Sequence, residues 1–336
     1  MTTDGLVPFD HVKHTGDGMP GTSRQVGSLV AEGFTDRDVP DQTGRTILVT
    51  GANSGIGFAT SAVLARAGAR VLLACRDHDK AATAAARIRE QTADADLGIV
   101  VLDQASLASV AAAASKIRDE EPRLDVLVNN AGVMAPPLTR TEDGFELQFG
   151  VNHLAVFALT AHLLPLLCDR ADSRIVTTSS VVHREGKLFL DDLHAEAGYG
   201  RFERYGQSKL ANLLFALELD RRLRADGAAT ASVACHPGLA TTSLAQDAAP
   251  WLRWVMPVAR PLLRLRFNSA EQGAWPTLMA ATDPSVEGGE YLGPTRRRET
   301  AGPAGRAQVA DHARDTELAQ QLWQLSVELT GIDPLG

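Results

Sequence analysis

Apolar residues along this 336-residue chain fall into two kinds of run that alternate. Short, continuous runs bounded by polar or glycine residues read as strands buried on both faces. They are Thr46–Val49 (TILV), Arg70–Ala74, Gly98–Leu102 (GIVVL), Leu124–Val128 (LDVLV), Arg174–Ser180 (RIVTTSS), Ala231–His236 (ASVACH) and Gly288–Pro294 (GGEYLGP). Between them lie longer stretches with apolar residues three and four apart, the spacing of one helix face. FATSAVLARAGA from Phe58, a helix from Asp77 onward, VNHLAVFALT from Val151 and a helix starting at Ser269 belong to this second kind. A further run, Ala307–Thr330, predicts a terminal helix. Strand–helix alternation of this kind predicts an α/β fold with a parallel sheet. Seven strands are expected in one domain over residues 37–336. Residues 1–36 carry Gly, Asp, Thr and Pro without an apolar run, and read as a flexible tail that is neither signal peptide nor membrane anchor.

The first strand runs directly into TGANSGIG, with glycines at Gly51, Gly55 and Gly57, and then into a helix. A glycine turn between strand and helix lets backbone approach a pyrophosphate at the helix N-terminus. Gly51, Asn53, Ser54, Gly55, Ile56 and Gly57 are therefore candidate cofactor-binding residues. At the end of the second strand an acidic residue would normally bind the adenosine ribose hydroxyls of NAD. Cys75 stands there, followed by Arg76, whose guanidinium is suited to a 2′-phosphate. That favours NADP(H) over NAD(H). Asp77 reads as the N-cap of the next helix.

Tyr205 and Lys209 stand four apart in YGQSK, so a helix would carry both on one face. At about 4 Å and an effective dielectric near 20, an ammonium favours a phenolate by roughly 4 kcal/mol. That would move a phenol from about 10 towards about 7. A phenol so tuned exchanges protons at neutral pH, as carbonyl–alcohol interconversion requires.

Further motifs close later strands: Asp103 with Gln104, NNAG at Asn129–Gly132, Asn152 in VNHLAV, Ser180, and Pro237 with Gly238. Taken together, the chain from about Gly44 to Pro294 resembles the short-chain dehydrogenase/reductase family. Within it, TGANSGIG, LACRD, SSVVH, YGQSKLAN and HPGLATT are similar to the subgroup of retinol dehydrogenases and protochlorophyllide reductase. The resemblance implies a doubly wound Rossmann domain with strand order 3-2-1-4-5-6-7. It implies Tyr205 as proton donor or acceptor, Lys209 binding the nicotinamide ribose, and Ser180 donating to the substrate oxygen. Asn152 would support a water that contacts Lys209. Asp103 and Gln104 would lie at the adenine; Asn130, Ala131, Gly132, Pro237, Gly238 and Thr242 would line the rest of the cofactor, with Thr241 competing for the role of Thr242.

Ser180 precedes Tyr205 by 25 residues, a long separation that matches the retinol dehydrogenase-like subgroup. The intervening HREGKLFLDDLH would be a loop inserted beside the substrate pocket, with His183 read as structural or solvated in preference to a second acid. Residues 244–268, rich in Trp, Leu and Arg, read as an apolar lid; a core helix and an interfacial membrane contact are the alternatives. Four arginines and two prolines in that region argue against a membrane-spanning helix. The run Arg296–Arg298 reads as a solvated loop.

A formal net charge of −8 argues against a nucleic-acid partner. Three cysteines, Cys75, Cys168 and Cys235, show no metal-ligand spacing and imply a reducing, cytoplasmic compartment. No metal is expected. The composite expectation is an NADP(H)-dependent oxidoreductase of a lipophilic or aromatic small molecule, acting on a ketone, aldehyde or alcohol. A carbon–carbon double-bond reductase and a cofactor sensor without turnover are the alternatives, and a homo-oligomer is compatible with either.

Overall fold

The computed structural model describes residues 33–168, 172–239 and 268–335. Strands β1 (Thr46–Thr50), β2 (Arg70–Cys75), β3 (Leu97–Val101), β4 (Val126–Asn129), β5 (Arg174–Thr178), β6 (Ala231–Cys235), β7 (Tyr291–Arg296) and β8 (Ala301–Arg306) form one sheet. Its order is β3-β2-β1-β4-β5-β6-β7-β8, parallel throughout except for the β7–β8 pair. The sequence expectation of seven strands is corrected to eight. Ala301–Arg306 (AGPAGR) has no apolar alternation to mark it. It forms because Arg297, Arg298 and Glu299 turn the chain back in left-handed conformations (φ 54°, 56° and 65°) and because Phe34 pairs with Ala304 on its outer edge. The basic run Arg296–Arg298 thus ends a strand and enters a hairpin turn.

Helices α1 (Gly55–Arg66), α2 (His78–Gln91) and α6 (Ala270–Thr282) cover one face of the sheet. Helices α3 (Leu107–Glu120), α4 (Ala155–Leu167) and α5 (Arg201–Ala225) cover the other. Both faces of the central strands are consequently dry: β1, β4 and β5 are buried at every residue. Helix α7 (Thr316–Thr330) packs across α5, seating Trp323 against Phe157 and Phe215. It starts nine residues later than the apolar spacing from Ala307 suggests, at an Asp315 N-cap preceded by a 3-10 turn, Asp311–Arg314.

Local signals elsewhere hold. The Asp77 carboxylate accepts from the Asp79 and Lys80 amides, and Ser269 with Gln272 forms a reciprocal capping box. Before α4 the chain makes one α-turn (Leu147–Phe149) and then a π-helical turn, Gly150–Leu154, which carries Asn152. The continuous helical run Leu147–Leu167 is long and apolar enough to cross a membrane, but it is 83% buried inside the fold and forms its centre. At the N-terminal edge, Asp36 pairs with Arg66 and accepts from the Trp275 indole, so the fold already includes residues just before 37.

Candidate active site

The C-terminal ends of β1, β2 and β4 face the glycine turn. Gly51 and Gly55 both lie at positive φ (68° and 56°), where a side chain is strained. Gly57 has no such torsion; what it lacks is space. A Cβ there would stand 2.3 Å from the Gly51 carbonyl oxygen and 2.6 Å from Asn130 Nδ2. Asn53 and Ser54 follow in the turn, and Ile56 lies in the first turn of α1. Ser54 is the N-cap in extended conformation, yet its hydroxyl makes no capping bond, and the first turn holds no acidic residue. The N-terminus of α1 is therefore open to an anion.

Thr50, which the sequence pattern does not single out, ties this turn to β4. Its hydroxyl accepts from the Asn130 and Ala131 amides (3.0 and 2.9 Å), and its carbonyl accepts from the Asn130 side chain at 2.8 Å. Cys75 lies buried under the turn and receives the Ala52 and Asn53 amides; burial pushes its thiol up to about 11. Arg76 is exposed at the mouth of β2. Asp103 and Gln104 both hold neighbouring backbone: the Asp103 carboxylate accepts from Ala105, and the Gln104 amide donates to Val151.

The four expected catalytic residues converge. The buried Asn152 is committed at both ends of its carboxamide: Oδ1 accepts from Val133 N (2.8 Å), while Nδ2 donates to Val133 O and Ser208 Oγ (2.9 Å each). Gly132 lies against it, with room for a Cβ only 3.0 Å from Asn152 Oδ1 and 3.5 Å from Lys209 Nζ. Lys209 Nζ donates to the Thr178 carbonyl at 3.1 Å, which Asn212 Nδ2 shares. The two serines separate cleanly. Ser179 is fully buried and donates to the Lys209 carbonyl at 2.7 Å, whereas Ser180 is the serine that acts on the Tyr205 phenol, opposing the rise in its pKa.

Proton energetics at Tyr205 differ from the sequence expectation. The Lys209 ammonium lies 5.7 Å from the centroid of the Tyr205 ring, held on the end of β5 by the Thr178 carbonyl. Burial pushes the phenol up to about 12, with only the Ser180 hydrogen bond opposing it. Burial also pushes Lys209 down to about 8. Desolvation disfavours both charged forms and outweighs the attraction between them here. Burial thereby holds Tyr205 as a phenol with its proton in place.

The inserted loop is fastened to the residues flanking Tyr205. Gly186 packs so closely on α5 that a Cβ would stand 2.6 Å from the Gly206 carbonyl oxygen. Arg204 is almost fully buried, pairs with Asp192 at 2.6 Å, donates to the Gly198 carbonyl and stacks over Phe189. After β6, Gly238 (φ 71°) turns against Thr300, and the carbonyls of Pro237 and Leu239 accept from Asn268. Thr241, Thr242 and residues 244–267 of the expected lid lie outside the described residues. Among the described residues no group of three or more His, Cys, Asp or Glu could hold a metal ion.

Comparison with known proteins agrees with this geometry. A family model described as short chain dehydrogenase matches residues 45–253. Mouse retinol dehydrogenase 14 is 42% identical over 305 residues, covering 86% of each chain. A crystal structure of an uncharacterized protein from Mycobacterium paratuberculosis is 39% identical, with a TM-score of 0.74 over 90% of this chain and 98% of that one. The active-site complex of Pseudomonas aeruginosa RhlG with NADP is 26% identical, with a TM-score of 0.57 over 74% and 94%. The family match spans more than half of the chain, and the mouse relative aligns with most of it. This chain belongs to the short-chain dehydrogenase family, in its retinol dehydrogenase-like subgroup.

Proposed function

We propose that this chain is an NADP(H)-dependent carbonyl reductase and alcohol dehydrogenase of lipophilic small molecules. Membership of the family makes it an oxidoreductase of alcohol and carbonyl groups. The observation that carries the finer reading is the convergence of Ser180, Tyr205 and the buried Lys209 at the C-terminal end of β5. A substrate carbonyl oxygen placed between these two hydroxyls accepts from both. Ser180 stabilises the charge developing on that oxygen, and Tyr205 delivers the proton that makes it an alcohol. Lys209, buried and bound to Thr178, lies 5.7 Å from the centroid of the Tyr205 ring.

The residues present fit a dinucleotide. A Cβ would be crowded at Gly51 and would clash at Gly57, and the α1 N-terminus offers uncapped amides and no acidic neighbour. Gly51, Asn53, Ser54, Gly55, Ile56 and Gly57 would hold the pyrophosphate, and Arg76 the 2′-phosphate. The Asp77 carboxylate is occupied in capping α2 and so does not compete for Arg76. When bound, the nicotinamide supplies or accepts the hydride. NADP in the RhlG complex and retinol in the name of the mouse relative point the same way.

A panel of ketones, aldehydes, alcohols and enones, followed by NADPH absorbance, tests the reading. Tyr205→Phe is expected to abolish turnover while NADPH affinity stays within about threefold, because the lost hydroxyl acts on substrate oxygen. Full activity in Tyr205→Phe overturns the mechanism, and turnover of enones alone overturns the reaction class.

A further inference from the structure

Ser180 lies beyond the last β5–β6 ladder pair, Thr178 with Cys235. The sheet itself does not hold the peptide that follows it. Three donors do. The Ser180 carbonyl accepts from His183 N at 3.1 Å, from His183 Nδ1 at 2.7 Å and from the Tyr291 hydroxyl at 3.3 Å. A carbonyl oxygen only accepts, so Nδ1 carries the proton. The other ring nitrogen, Nε2, accepts from Ala310 N at 3.3 Å and is therefore bare. Opposite demands at the two nitrogens leave one arrangement, the neutral Nδ1–H tautomer.

The His183 ring is fully buried and stands edge-on to Tyr291, with centroids 5.2 Å apart at 90°. Burial pushes its pKa down to about 4, and Arg184, His236 and His312 nearby push the same way. Glu299, the carboxylate of this neighbourhood, is engaged by Arg184 at 2.5 Å and faces His236 at 3.6 Å. His183 consequently remains a neutral donor through the range in which such an enzyme is assayed.

We propose that His183 is a positioning residue for Ser180: its Nδ1–H, with the Tyr291 hydroxyl, fixes the Ser180 carbonyl and so aims the Ser180 hydroxyl at Tyr205. A serine side chain has one rotor, and with its peptide fixed the hydroxyl has only the staggered positions left. The Val182 amide, donating to Ser180 Oγ at 3.4 Å, selects among them. Freeing the peptide would let the hydroxyl swing away from the phenol without changing where the cofactor or the bulk of a substrate binds. This role rests on the proposed reaction, in which Ser180 donates to the substrate oxygen.

Two substitutions separate positioning from mere packing. The amide nitrogen of His183→Asn reaches the Nδ1 position and keeps the donor to Ser180. The amide of His183→Gln reaches the Nε2 position, keeps an acceptor for Ala310 and loses that donor. His183→Asn is expected to keep kcat within about threefold, and His183→Gln to lose roughly tenfold to a hundredfold in kcat, with KM and NADPH affinity little changed. The two variants should unfold at similar temperatures. Equal kcat in the two variants, or losses that track their unfolding temperatures, overturns the proposal. Nitrogen NMR of the histidine-labelled wild type should show, at neutral pH, a ring protonated at Nδ1 and bare at Nε2 that disappears in both variants. The opposite tautomer or a charged ring also overturns it. Wild-type turnover and its loss in Tyr205→Phe judge the reaction; the Asn-to-Gln ratio and the tautomer judge His183.

Discussion

Replacing Gly57 with alanine adds one carbon at the point where the glycine turn is tightest. That carbon would stand 2.3 Å from the Gly51 carbonyl oxygen and 2.6 Å from Asn130 Nδ2. Neither neighbour is a loose side-chain end. The first is backbone, and the second donates to the Thr50 carbonyl at 2.8 Å. To reach ordinary contact the Gly51 carbonyl must withdraw by about 1 Å, and its peptide moves with it. Overpacking of this kind costs about 1–3 kcal/mol. Some of that appears as lost stability, a fall of about 2–4 °C in Tm per kcal/mol for a domain of this size. The rest is expected in cofactor affinity, because the displaced peptide belongs to the turn proposed to cradle the pyrophosphate. A loss of about 1.4 kcal/mol there weakens NADPH binding by about tenfold. NADPH fluorescence titration beside thermal unfolding reads both parts. Gly44→Ala is the control: unlike Gly57, Gly44 lies at positive φ (78°), and nothing stands within 4 Å of its added Cβ. It should cost about 1 kcal/mol of stability and leave NADPH affinity unchanged. If Gly57→Ala binds NADPH as tightly as wild type, the glycine turn is not where the pyrophosphate sits and the assignment of Gly51–Gly57 fails.

Two further outcomes follow from the same geometry. Arg76→Ala should raise the Kd for NADPH by roughly tenfold or more and leave that for NADH nearly unchanged, because a charge-assisted bond to the 2′-phosphate is lost; equal losses for the two cofactors would remove the case for NADP(H). The protein should also lose stability in acid. His153 and His183 are held down to about 4 by burial, so between pH 6.5 and 4 the unfolded chain takes up protons that the folded one refuses. Stability is then fully present above about 6.5 and falls by about 1.4 kcal/mol per pH unit for each histidine, roughly 4 kcal/mol for the pair at pH 5. Thermal unfolding at pH 7.5 and pH 5 measures this, and equal midpoints would mean that the two rings are not buried neutral.

What the sequence discloses about this fold is what is local. A parallel strand buried on both faces must be a continuous apolar run, so β1, β2, β4, β5 and β6 could be read directly from their short apolar runs. Caps at Asp77 and Ser269 depend on side chains two or three residues from the amides they satisfy, and they too were legible. β8 was not, since a strand of Ala, Gly and Pro is defined only by its partners β7 and Phe34. The same distinction runs through the site. Gly51, Ser180, Tyr205 and Lys209 stand in motifs whose spacing points to chemistry. Thr50 and Tyr291 act on residues 80 and 111 positions away, and no spacing rule reaches that far. Both are ordinary strand residues until the sheet places β1 beside β4 and β7 beside β6.

Tyr205 shows how burial redirects a correct residue assignment. Four-residue spacing does place Lys209 beside it, but placing two ionisable groups together in a helix also buries them against a sheet. The lysine then finds the Thr178 carbonyl and the phenol finds the Ser180 hydroxyl, so each polar group is satisfied by a neutral partner. In that setting charge separation is disfavoured on both sides: the phenol rises to about 12 and the amine falls to about 8. A protonated phenol beside a serine hydroxyl is already in the form that donates to a carbonyl oxygen. Taking a proton from an alcohol would first require the phenol to lose its own in a desolvated pocket. Burial of the pair thus keeps the phenol in its proton-donating form, an effect that spacing alone could not supply.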